Sequence, residues 1–325
     1  MSTLLEVQGL STQLKSKHGR LTVVEGVDFS IKRGEVLGVV GESGCGKSVT
    51  SLSIMQLLGR NAVTSGKVLY QDTNLLELKE SEWRQIRGKE ISMIFQDPMV
   101  SLNPVIPVGK QIGETIRKHE KLKGPQVKNK VIELLRVVGI PRADEIYREY
   151  PHQLSGGMKQ RIMIAMAIAC NPALLIADEP TTALDVTIQA QILELLKSLK
   201  AEYEMSILLI THDLGVVAEM CDRVVVMYAG QVVETADTRT LLRDPKHPYT
   251  SGLIQSTPRH SRGKDRLSSI PGQVPTPDRY LPGCRFADRC PKAMDICRNA
   301  APPLIALDRL TSCRCWLYQA HSEDE

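Results

Sequence analysis

The sequence predicts an α/β domain with a parallel-sheet core, followed by a loop-rich C-terminal extension. Short, largely unbroken apolar runs of Val, Ile and Leu are typical of parallel strands covered on both faces. Stretches with helical periodicity separate these runs, as in a layered α/β domain. The predicted strands are 36–40, 91–95, 174–177, 207–211 and 224–228, and the predicted helices include 49–58, 131–138, 158–169 and 188–203.

The order of these elements predicts two domains. Two N-terminal strands, 4–10 and 23–31, are expected to be antiparallel and peripheral, and a mainly helical stretch beginning at Pro98 interrupts the strand series. We therefore expect a helical subdomain at about residues 98–170. After about residue 235 prolines and glycines become dense and the strand runs stop. The prediction is a main domain at 1–235 and an extension at 236–325.

The composition is that of a globular chain of 325 residues, 42% hydrophobic and 24% charged. A net charge of +4 is too small to indicate a nucleic-acid partner, and no basic segment is interleaved with aromatic residues. The first residues lack a secretion signal, and no apolar run approaches the roughly 18–20 residues that cross a bilayer. We expect a chain that is neither exported nor membrane-spanning and that binds no nucleic acid.

A glycine-rich loop follows the first core strand and precedes a helical pattern. Such a loop turns its backbone N–H groups around a polyphosphate, and the helix N-terminus adds partial positive charge. Lys47 is expected to pair with the β- and γ-phosphates, and the Ser48 hydroxyl to bind Mg²⁺. The sequence therefore predicts a nucleoside triphosphate site. The residues assigned to it are Gly41, Glu42, Ser43, Gly44, Cys45, Gly46, Lys47 and Ser48.

Two adjacent acids, Asp178 and Glu179, end the apolar strand 174–177. In a P-loop ATPase an Asp at this point holds the metal shell, so Asp178 is the expected Mg²⁺ partner of Ser48. Glu179 is the candidate base, because a carboxylate there can orient and polarise water for in-line attack on the γ-phosphate. This pair predicts ATP hydrolysis.

A third segment leads into the predicted helix 158–169 and indicates which family of ATPases the sequence resembles. The segment Leu154-Ser155-Gly156-Gly157-Met158-Lys159-Gln160 resembles the signature motif of ATP-binding cassette (ABC) proteins. Gln96 after strand 91–95, Asp185 after the acidic pair and His212 after strand 207–211 match the same family in identity and order. The resemblance covers about residues 4–235.

The resemblance implies a head-to-tail dimer in which the signature of one cassette closes over ATP held by the P-loop of the other. Leu154, Ser155, Gly156, Gly157, Met158 and Gln160 are then expected to face the partner's ATP. A helix N-terminus and charge-assisted hydrogen bonds suit that contact. The family further implies that His212 contacts the γ-phosphate, that Gln96 senses Mg²⁺ and water, and that Asp185 belongs to the D-loop.

The finer resemblance is to ATPase subunits of bacterial oligopeptide and dipeptide importers. It rests on the stretches 96–104, 175–190, 247–250 and 282–286. It implies a sister cassette forming a heterodimer, two transmembrane permeases, an extracytoplasmic peptide-binding protein, and a peripheral place on the cytoplasmic face of the membrane. Nickel importers share much of the pattern and are the alternative. A soluble ATPase acting on nucleic acid or ribosomes is the alternative from another class.

Five of the eight cysteines lie between Cys284 and Cys315, which indicates a metal site if the compartment is reducing. The spacing lacks the close pairs usual for structural zinc, and wider spacing suits an iron–sulfur cluster. Some of the related importer subunits carry a [4Fe–4S] cluster in this tail. The likeness implies Cys284, Cys290, Cys297 and Cys315 as ligands, with Cys313 competing for the fourth place. Reduced, buried cysteines without a metal are the alternative.

The adenine pocket departs from the pattern of many cassettes. Residues 11–24 contain no Phe, Tyr or Trp, and Leu14 takes the place of the aromatic side chain that stacks on adenine. His18 and Arg20 are weak substitutes. We expect ATP as the nucleotide, with weaker stacking on its base.

Overall fold

The computed structural model describes residues 2–17, 19–182, 184–257 and 269–321. In chain order its strands are β1 (Thr3–Ser16), β2 (Gly19–Lys32), β3 (Val36–Val40), β4 (Ala62–Tyr70), β5 (Thr73–Asn74), β6 (Ile91–Ile94), β7 (Leu174–Asp178), β8 (Ser206–Thr211), β9 (Arg223–Tyr228), β10 (Gln231–Asp237), β11 (Ile305–Ala306) and β12 (Ser312–Cys313). Its α-helices are α1 (Lys47–Ile54), α2 (Glu80–Ile86), α3 (Pro98–Ser101), α4 (Val108–His119), α5 (Gly124–Val137), α6 (Ala143–Ile146), α7 (Gly156–Ile168), α8 (Val186–Glu202), α9 (Leu214–Met220), α10 (Thr238–Arg243), α11 (Pro248–Gln255) and α12 (Asp295–Asn299).

The chain divides into two compact units. The P-loop unit comprises Thr3–Ile31, Val36–Leu76 and Ile210–Glu325. The helical unit comprises Met1–Ser2, Lys32–Glu35 and Glu77–Leu209. The predicted division at residue 235 stays a prediction.

The P-loop unit contains two groups of paired strands. One has the order β2-β1-β4-β5, in which β4 runs antiparallel to both β1 and β5. The other has the order β11-β12-β10-β9-β3, in which β3 and β9 are parallel and β9 and β10 antiparallel. Two short strands of the extension, β11 and β12, thus continue the ladder that contains β3. All five residues of β3 are buried, as its unbroken apolar sequence predicts.

An aromatic cluster lies in the core of the P-loop unit. Tyr228, Tyr249 and Phe286 are at most 2% exposed, and their rings approach one another at centroid distances of 4.6 to 5.4 Å. The ring of buried His247 lies 5.8 Å from that of Phe286. Offset and edge-to-face aromatic pairs add stabilisation beyond the area they bury. Because Phe286 belongs to the extension, this part of the extension is built into the core of the unit.

The helical unit combines parallel strands with the predicted helical stretch. β6 and β7 are parallel, and Ile94 lies opposite Ala177, so both strands end at the same edge. In α4 the buried residues Val108, Ile112 and Ile116 recur every four positions, which places them on one face of the helix. α7 is buried on most sides, as its nearly continuous apolar sequence requires.

The prediction of an α/β fold with a parallel core is confirmed. The sequence missed β4 and β10. The middle of β4 is exposed and carries few apolar residues, and β10 has polar residues at both ends, so neither shows a strong apolar run. Among the described residues, no helix is long and apolar enough to cross a membrane.

Candidate active site

The glycine-rich loop joins β3 to α1 within the P-loop unit. Gly41, Gly44 and Gly46 have positive φ angles of 155°, 80° and 101°. Residues other than glycine rarely adopt this region of backbone conformation. A Cβ atom at Gly41 would lie 2.2 Å from the carbonyl oxygen of Met227, at the end of β9. Glycine at this position is therefore required both by the backbone conformation and by the close approach of the neighbouring strand.

Lys47 is the first residue of α1, and it is buried although it carries a charge. Its Nζ donates hydrogen bonds to the carbonyl oxygens of Gly41 at 2.8 Å and Glu42 at 3.1 Å. The ammonium group is thus held over the loop by the loop's own backbone. Ser48 follows on the first turn and is half-buried, whereas Ser43 and Gly44 are exposed. Cys45 is buried, and burial raises the pKa of its thiol.

The loop also has partners that the sequence motifs did not reveal. The backbone N–H of Glu42 donates to the Tyr249 hydroxyl at 2.8 Å. The Glu42 carboxylate accepts two hydrogen bonds from Arg289, at 2.7 and 3.0 Å. Tyr249 and Arg289 lie more than 200 positions further along the chain, so no local pattern relates them to the P-loop. A carboxylate inside a phosphate-binding motif was the available signal, because such a charge calls for a partner.

The acidic pair and Gln96 lie in the helical unit. Asp178 ends β7 and is 4% exposed, and Glu179 follows with a φ of 46°, unusual for a residue other than glycine. The Glu179 carboxylate accepts hydrogen bonds from Gln96 Nε2 at 3.0 Å and from the Thr182 hydroxyl at 2.8 Å. Because β6 and β7 end at the same edge, Gln96 reaches Glu179 directly. The structure therefore joins two of the three predicted catalytic residues.

The signature segment, Leu154 to Gln160, forms the start of α7. Ser155 is the N-cap, and its hydroxyl accepts a hydrogen bond from the backbone N–H of Met158 at 3.3 Å. Ser155 and Gly156 are exposed, while Gly157 and Met158 are half-buried. Exposed backbone at a helix N-terminus suits binding of an anion.

Two members of the signature segment are buried instead. Leu154 is 8% exposed and Gln160 is 3% exposed. The Nε2 of Gln160 has no hydrogen-bond partner among the described residues. Within the signature segment, Ser155 and Gly156 are thus the most exposed members.

Asp185 and His212 were also predicted to serve the site. Asp185 is exposed and caps α8, where its carboxylate accepts a hydrogen bond from the Ile188 N–H at 3.0 Å. A Cβ atom at Gly157 would lie 3.1 Å from the Ile188 side chain, so the start of α7 lies against the start of α8. His212 belongs to the P-loop unit, where it is exposed between the end of β8 and the N-cap of α9.

The predicted cysteine ligands are neighbours in the extension. Burial, together with the nearby Cys297, Cys315 and Cys290, raises the pKa of the Cys284 thiol to about 11. The Cys290 sulfur accepts a hydrogen bond from the Lys292 N–H at 3.4 Å, and the Cys297 sulfur from the Met294 N–H at 3.5 Å. Within the ranges that the structure describes, however, no group of three or more His, Cys, Asp or Glu side chains is arranged to hold a metal ion.

Cys313 and Cys315 differ although both are buried. A hydrogen bond between them lowers the pKa of the Cys315 thiol and raises that of Cys313. Cys313 lies in β12, opposite Glu234 of β10. Cys315 follows the strand, and the N–H of Leu317 approaches its sulfur.

Of the predicted base-stacking region, Leu14 lies in β1 opposite Ala62 of β4 and is half-buried. Arg20 is exposed in β2. His18 lies outside the described residues.

The structure is similar to solved structures of ATP-binding cassettes. The dimeric cassette MJ0796, in a post-hydrolysis state bound to ADP and Pi, aligns with a TM-score of 0.66 at 26% identity, over 73% of this chain and 99% of that one. The cbiO1 protein from Clostridium perfringens, part of the ABC transporter complex cbiONQ, aligns with a TM-score of 0.62 at 27% identity, over 75% of this chain and 92% of that one. The fold and the loop, acidic and signature segments define an ABC-type ATPase.

Sequence comparison narrows the class. The family model of the ABC transporter matches residues 24–182, and that of the oligopeptide/dipeptide transporter C-terminal region matches residues 233–297. The oligopeptide transport ATP-binding protein AppD of Bacillus subtilis is 53% identical over 327 residues, covering 100% of both chains. The dipeptide transport ATP-binding protein DppD of the same species is 47% identical, over 99% of this chain and 97% of that one. The chain belongs to the ATP-binding subunits of the oligopeptide/dipeptide ABC transporter family.

Proposed function

We propose that this ATPase energises uptake of oligopeptides or dipeptides through two partner permeases, at the cytoplasmic face of the membrane, with an extracytoplasmic binding protein delivering the peptide. The match of residues 233–297 to the oligopeptide/dipeptide transporter C-terminal region carries this proposal. The names of relatives that share about half of the sequence, such as AppD, support it. Co-purification with two hydrophobic permeases tests it, whereas isolation with ribosomes or nucleic acid in their place would contradict it.

The proposed chemistry is hydrolysis of the γ-phosphate bond by water. Glu179 orients and polarises the attacking water, Gln96 holds the Glu179 carboxylate in place, and His212 contacts the γ-phosphate. The hydrogen bonds from Gln96 and Thr182 support this role for Glu179, because they fix the direction of a side chain that would otherwise rotate freely. Positioning of this kind accounts for much of the catalysis in phosphoryl transfer.

The residues that bind magnesium and the triphosphate are assigned from the chemical type of their ligand atoms. Hydroxyl, carboxylate and amide oxygens are the ligands that Mg²⁺ prefers, so Ser48, Asp178 and Gln96 keep their predicted roles. Magnesium supplies positive charge that stabilises the phosphoryl oxygens in the transition state. Gly41 to Lys47 would hold the phosphates through backbone N–H groups and the Lys47 ammonium.

The signature segment acts on a second cassette in this proposal. Ser155 and Gly156 bind the γ-phosphate held by a sister cassette, and Asp185, exposed at the N-cap of the adjacent helix α8, is assigned to the same interface. The exposed N-terminus of α7, a helix of 13 residues, supports this assignment. ATP would join the two subunits, and its hydrolysis would let them separate. We propose a nonidentical sister subunit, as the likeness to the peptide-importer ATPase subunits implies.

A [4Fe–4S] cluster on Cys284, Cys290, Cys297 and Cys315 is the proposed cofactor of the extension. Backbone N–H groups that point at the sulfurs of Cys290 and Cys297 stabilise the thiolate forms of these residues. The likeness to the importer subunits favours Cys315 over Cys313 as the fourth ligand. The protein's part is to hold four thiolates in a loop-rich segment. Iron and sulfide analysis after anaerobic purification tests this proposal. Stoichiometric zinc in place of iron, or no metal at all, would contradict it.

The variant Glu179→Gln tests the catalytic assignment. It replaces the carboxylate by an amide of the same shape, so we expect ATP binding to persist, turnover to cease, and a closed dimer with the sister subunit to accumulate. Glu194→Gln, on the exposed side of α8, is the matched control and should turn over normally. Normal hydrolysis by Glu179→Gln, measured with the sister site inactivated, would remove Glu179 from its role.

A further inference from the structure

Glu42 is the second residue of the P-loop, and its charge is opposite to what the loop requires. The loop is proposed to hold a triphosphate, and a carboxylate beside that anion opposes binding unless a positive charge cancels it. The Glu42 side chain is 30% exposed, so water screens it only in part. An ion partner for Glu42 therefore bears directly on nucleotide affinity.

Arg289, from the C-terminal extension, is that partner. Its Nη1 lies 2.7 Å from Glu42 Oε2 and its Nη2 lies 3.0 Å from Glu42 Oε1, so the guanidinium donates a hydrogen bond to each carboxylate oxygen. The Arg289 side chain is only 6% exposed. Two parallel charge-assisted hydrogen bonds fix direction as well as distance, which a lysine cannot do.

The guanidinium is itself held by further contacts. Arg289 Nε donates to the carbonyl oxygen of Pro271 at 2.8 Å, and Nη1 donates to the Tyr228 hydroxyl at 3.3 Å. The guanidinium carbon lies 5.7 Å from the centre of the Tyr228 ring and 6.0 Å from that of Phe286. These contacts come from the aromatic cluster and from the extension, so the position of Arg289 depends on both.

The backbone of Glu42 is fixed by the same region. Its N–H donates to the hydroxyl of Tyr249, which is fully buried in the aromatic cluster. Glu42 is thus held at its carboxylate by Arg289 and at its backbone by Tyr249. Because the Glu42 carbonyl also accepts a hydrogen bond from Lys47, the clamp extends to the residue proposed to pair with the phosphates.

We infer that Arg289 is a positioning residue for nucleotide binding, which neutralises Glu42 and holds the P-loop through it. Through Arg289, the extension then contributes to nucleotide binding by the P-loop. This inference rests on the proposed role of residues 41–48 in holding the triphosphate. It adds a residue of the extension that none of the predicted motifs contains.

Affinity of the full-length chain for MgATP, measured by titration calorimetry, tests the inference. Arg289→Gln leaves the Glu42 charge unpaired beside the phosphates, so we expect a loss of roughly tenfold or more in affinity. Adding Glu42→Gln to that variant removes the unpaired charge and should restore most of the affinity. A merely structural role for Arg289 predicts no such rescue, so the double variant separates the two readings. Wild-type affinity of Arg289→Gln would overturn the inference, as would a loss that Glu42→Gln fails to rescue.

Two further variants serve as controls. Arg298→Gln breaks an exposed ion pair with Asp288 in the same extension and should leave affinity unchanged. Lys47→Ala tests the P-loop itself: if it retains wild-type affinity, the proposed nucleotide site fails. If Lys47→Ala loses affinity and Arg289→Gln does not, only the present inference fails.

If Arg289→Gln does not fold, Arg289→Lys replaces it. A lysine keeps the charge but loses the two parallel hydrogen bonds, so we expect a smaller loss of affinity that grows with ionic strength, because a single contact to the partly exposed Glu42 carboxylate is screened more readily than a bidentate one. Wild-type affinity of Arg289→Lys at every ionic strength would overturn the inference.

Discussion

The P-loop and the cysteine loop, residues 283–297, solve the same steric problem in different ways. Each has a glycine whose Cβ atom would lie 2.2 Å from a backbone carbonyl oxygen, that of Met227 for Gly41 and that of Cys297 for Gly283. Lys47 holds the P-loop locally through the Gly41 carbonyl, whereas two arginines of the cysteine loop reach distant segments, and one of them, Arg289, reaches the P-loop itself. Contacts that a loop makes within itself can be recognised from a motif, and contacts that it makes at long range cannot.

Gly41→Ala should have the largest effect. Its Cβ atom would enter the backbone of β9, and alanine also disfavours a φ of 155°. We expect loss of MgATP binding and a fall of about 4 kcal/mol or more in the free energy of unfolding. Calorimetric titration and denaturant unfolding measure the two effects. Gly59→Ala, where a Cβ atom meets open space, is the control, and equal behaviour of the two variants would contradict the steric explanation.

Gly283→Ala should have the next largest effect, and a different one. The contact with the Cys297 carbonyl is as close as that at Gly41, but the backbone angle is not in the positive-φ region, so only one source of strain remains. We expect a loss of about 2 to 3 kcal/mol in the free energy of unfolding. Because Arg289 belongs to the same loop, MgATP affinity should weaken without being abolished.

The readouts of Gly283→Ala distinguish the two loops. Unchanged stability would contradict the tight packing of the cysteine loop. Complete loss of MgATP binding in a folded variant would mean that the P-loop has no independent hold on its nucleotide, and the contrast with Gly41 would then fail.

The P-loop was predictable because each of its special residues is required by local geometry. Glycines at positive φ, a lysine at the first helical residue and a preceding buried strand all lie within a few positions of one another. The bond between Gln96 and Glu179 was predictable only in part, since it depends on two strands ending at one edge of a parallel pair. The resemblance to the family indicated the roles of these two residues, and the register of the two strands explains their contact.

The partners of Glu42 could not be predicted. Tyr249 and Arg289 are separated from it by 207 and 247 positions, and nothing in their local sequences indicates contact with a phosphate loop. Likewise, the continuation of the β3 ladder by β11 and β12 depends on strands of two residues each, too short to produce a periodic pattern. Long-range contacts of single side chains leave no repeat in the sequence.

The stability of the core around the aromatic cluster should depend on pH. Complete burial lowers the pKa of His247 to about 3, from an ordinary value of 6.5. Between these values the unfolded chain binds a proton that the folded chain does not, so the free energy of unfolding falls as pH is lowered. From pH 7.5 to pH 5 this histidine should account for a loss of about 2 kcal/mol.

His247→Asn should remove that contribution, because asparagine can still cap α11 through its side-chain oxygen but does not titrate. Burial raises the pKa of neighbouring Glu234, so the contribution of Glu234 to the pH dependence of stability has the opposite sign. Glu234 and Arg314, whose charge also acts on His247, are both retained in the variant. Denaturant unfolding at the two pH values measures the difference. The exposed His152→Asn is the control. An unchanged pH dependence in His247→Asn would show that the buried imidazole is not the source.

The smallest effect should come from the exposed ion pair on the cysteine loop. Arg298 lies 2.8 Å from Asp288, but both side chains are about 60% exposed, whereas the buried Arg289 contacts Glu42 at similar distance. A double-mutant cycle with Arg298→Gln and Asp288→Asn should give a coupling free energy of about 0.5 kcal/mol or less, since water screens both charges and ordering two long side chains costs entropy. Coupling should decline further at high salt. A value well above this range would mean that surface charge, as well as the buried arginines, holds the cysteine loop in place.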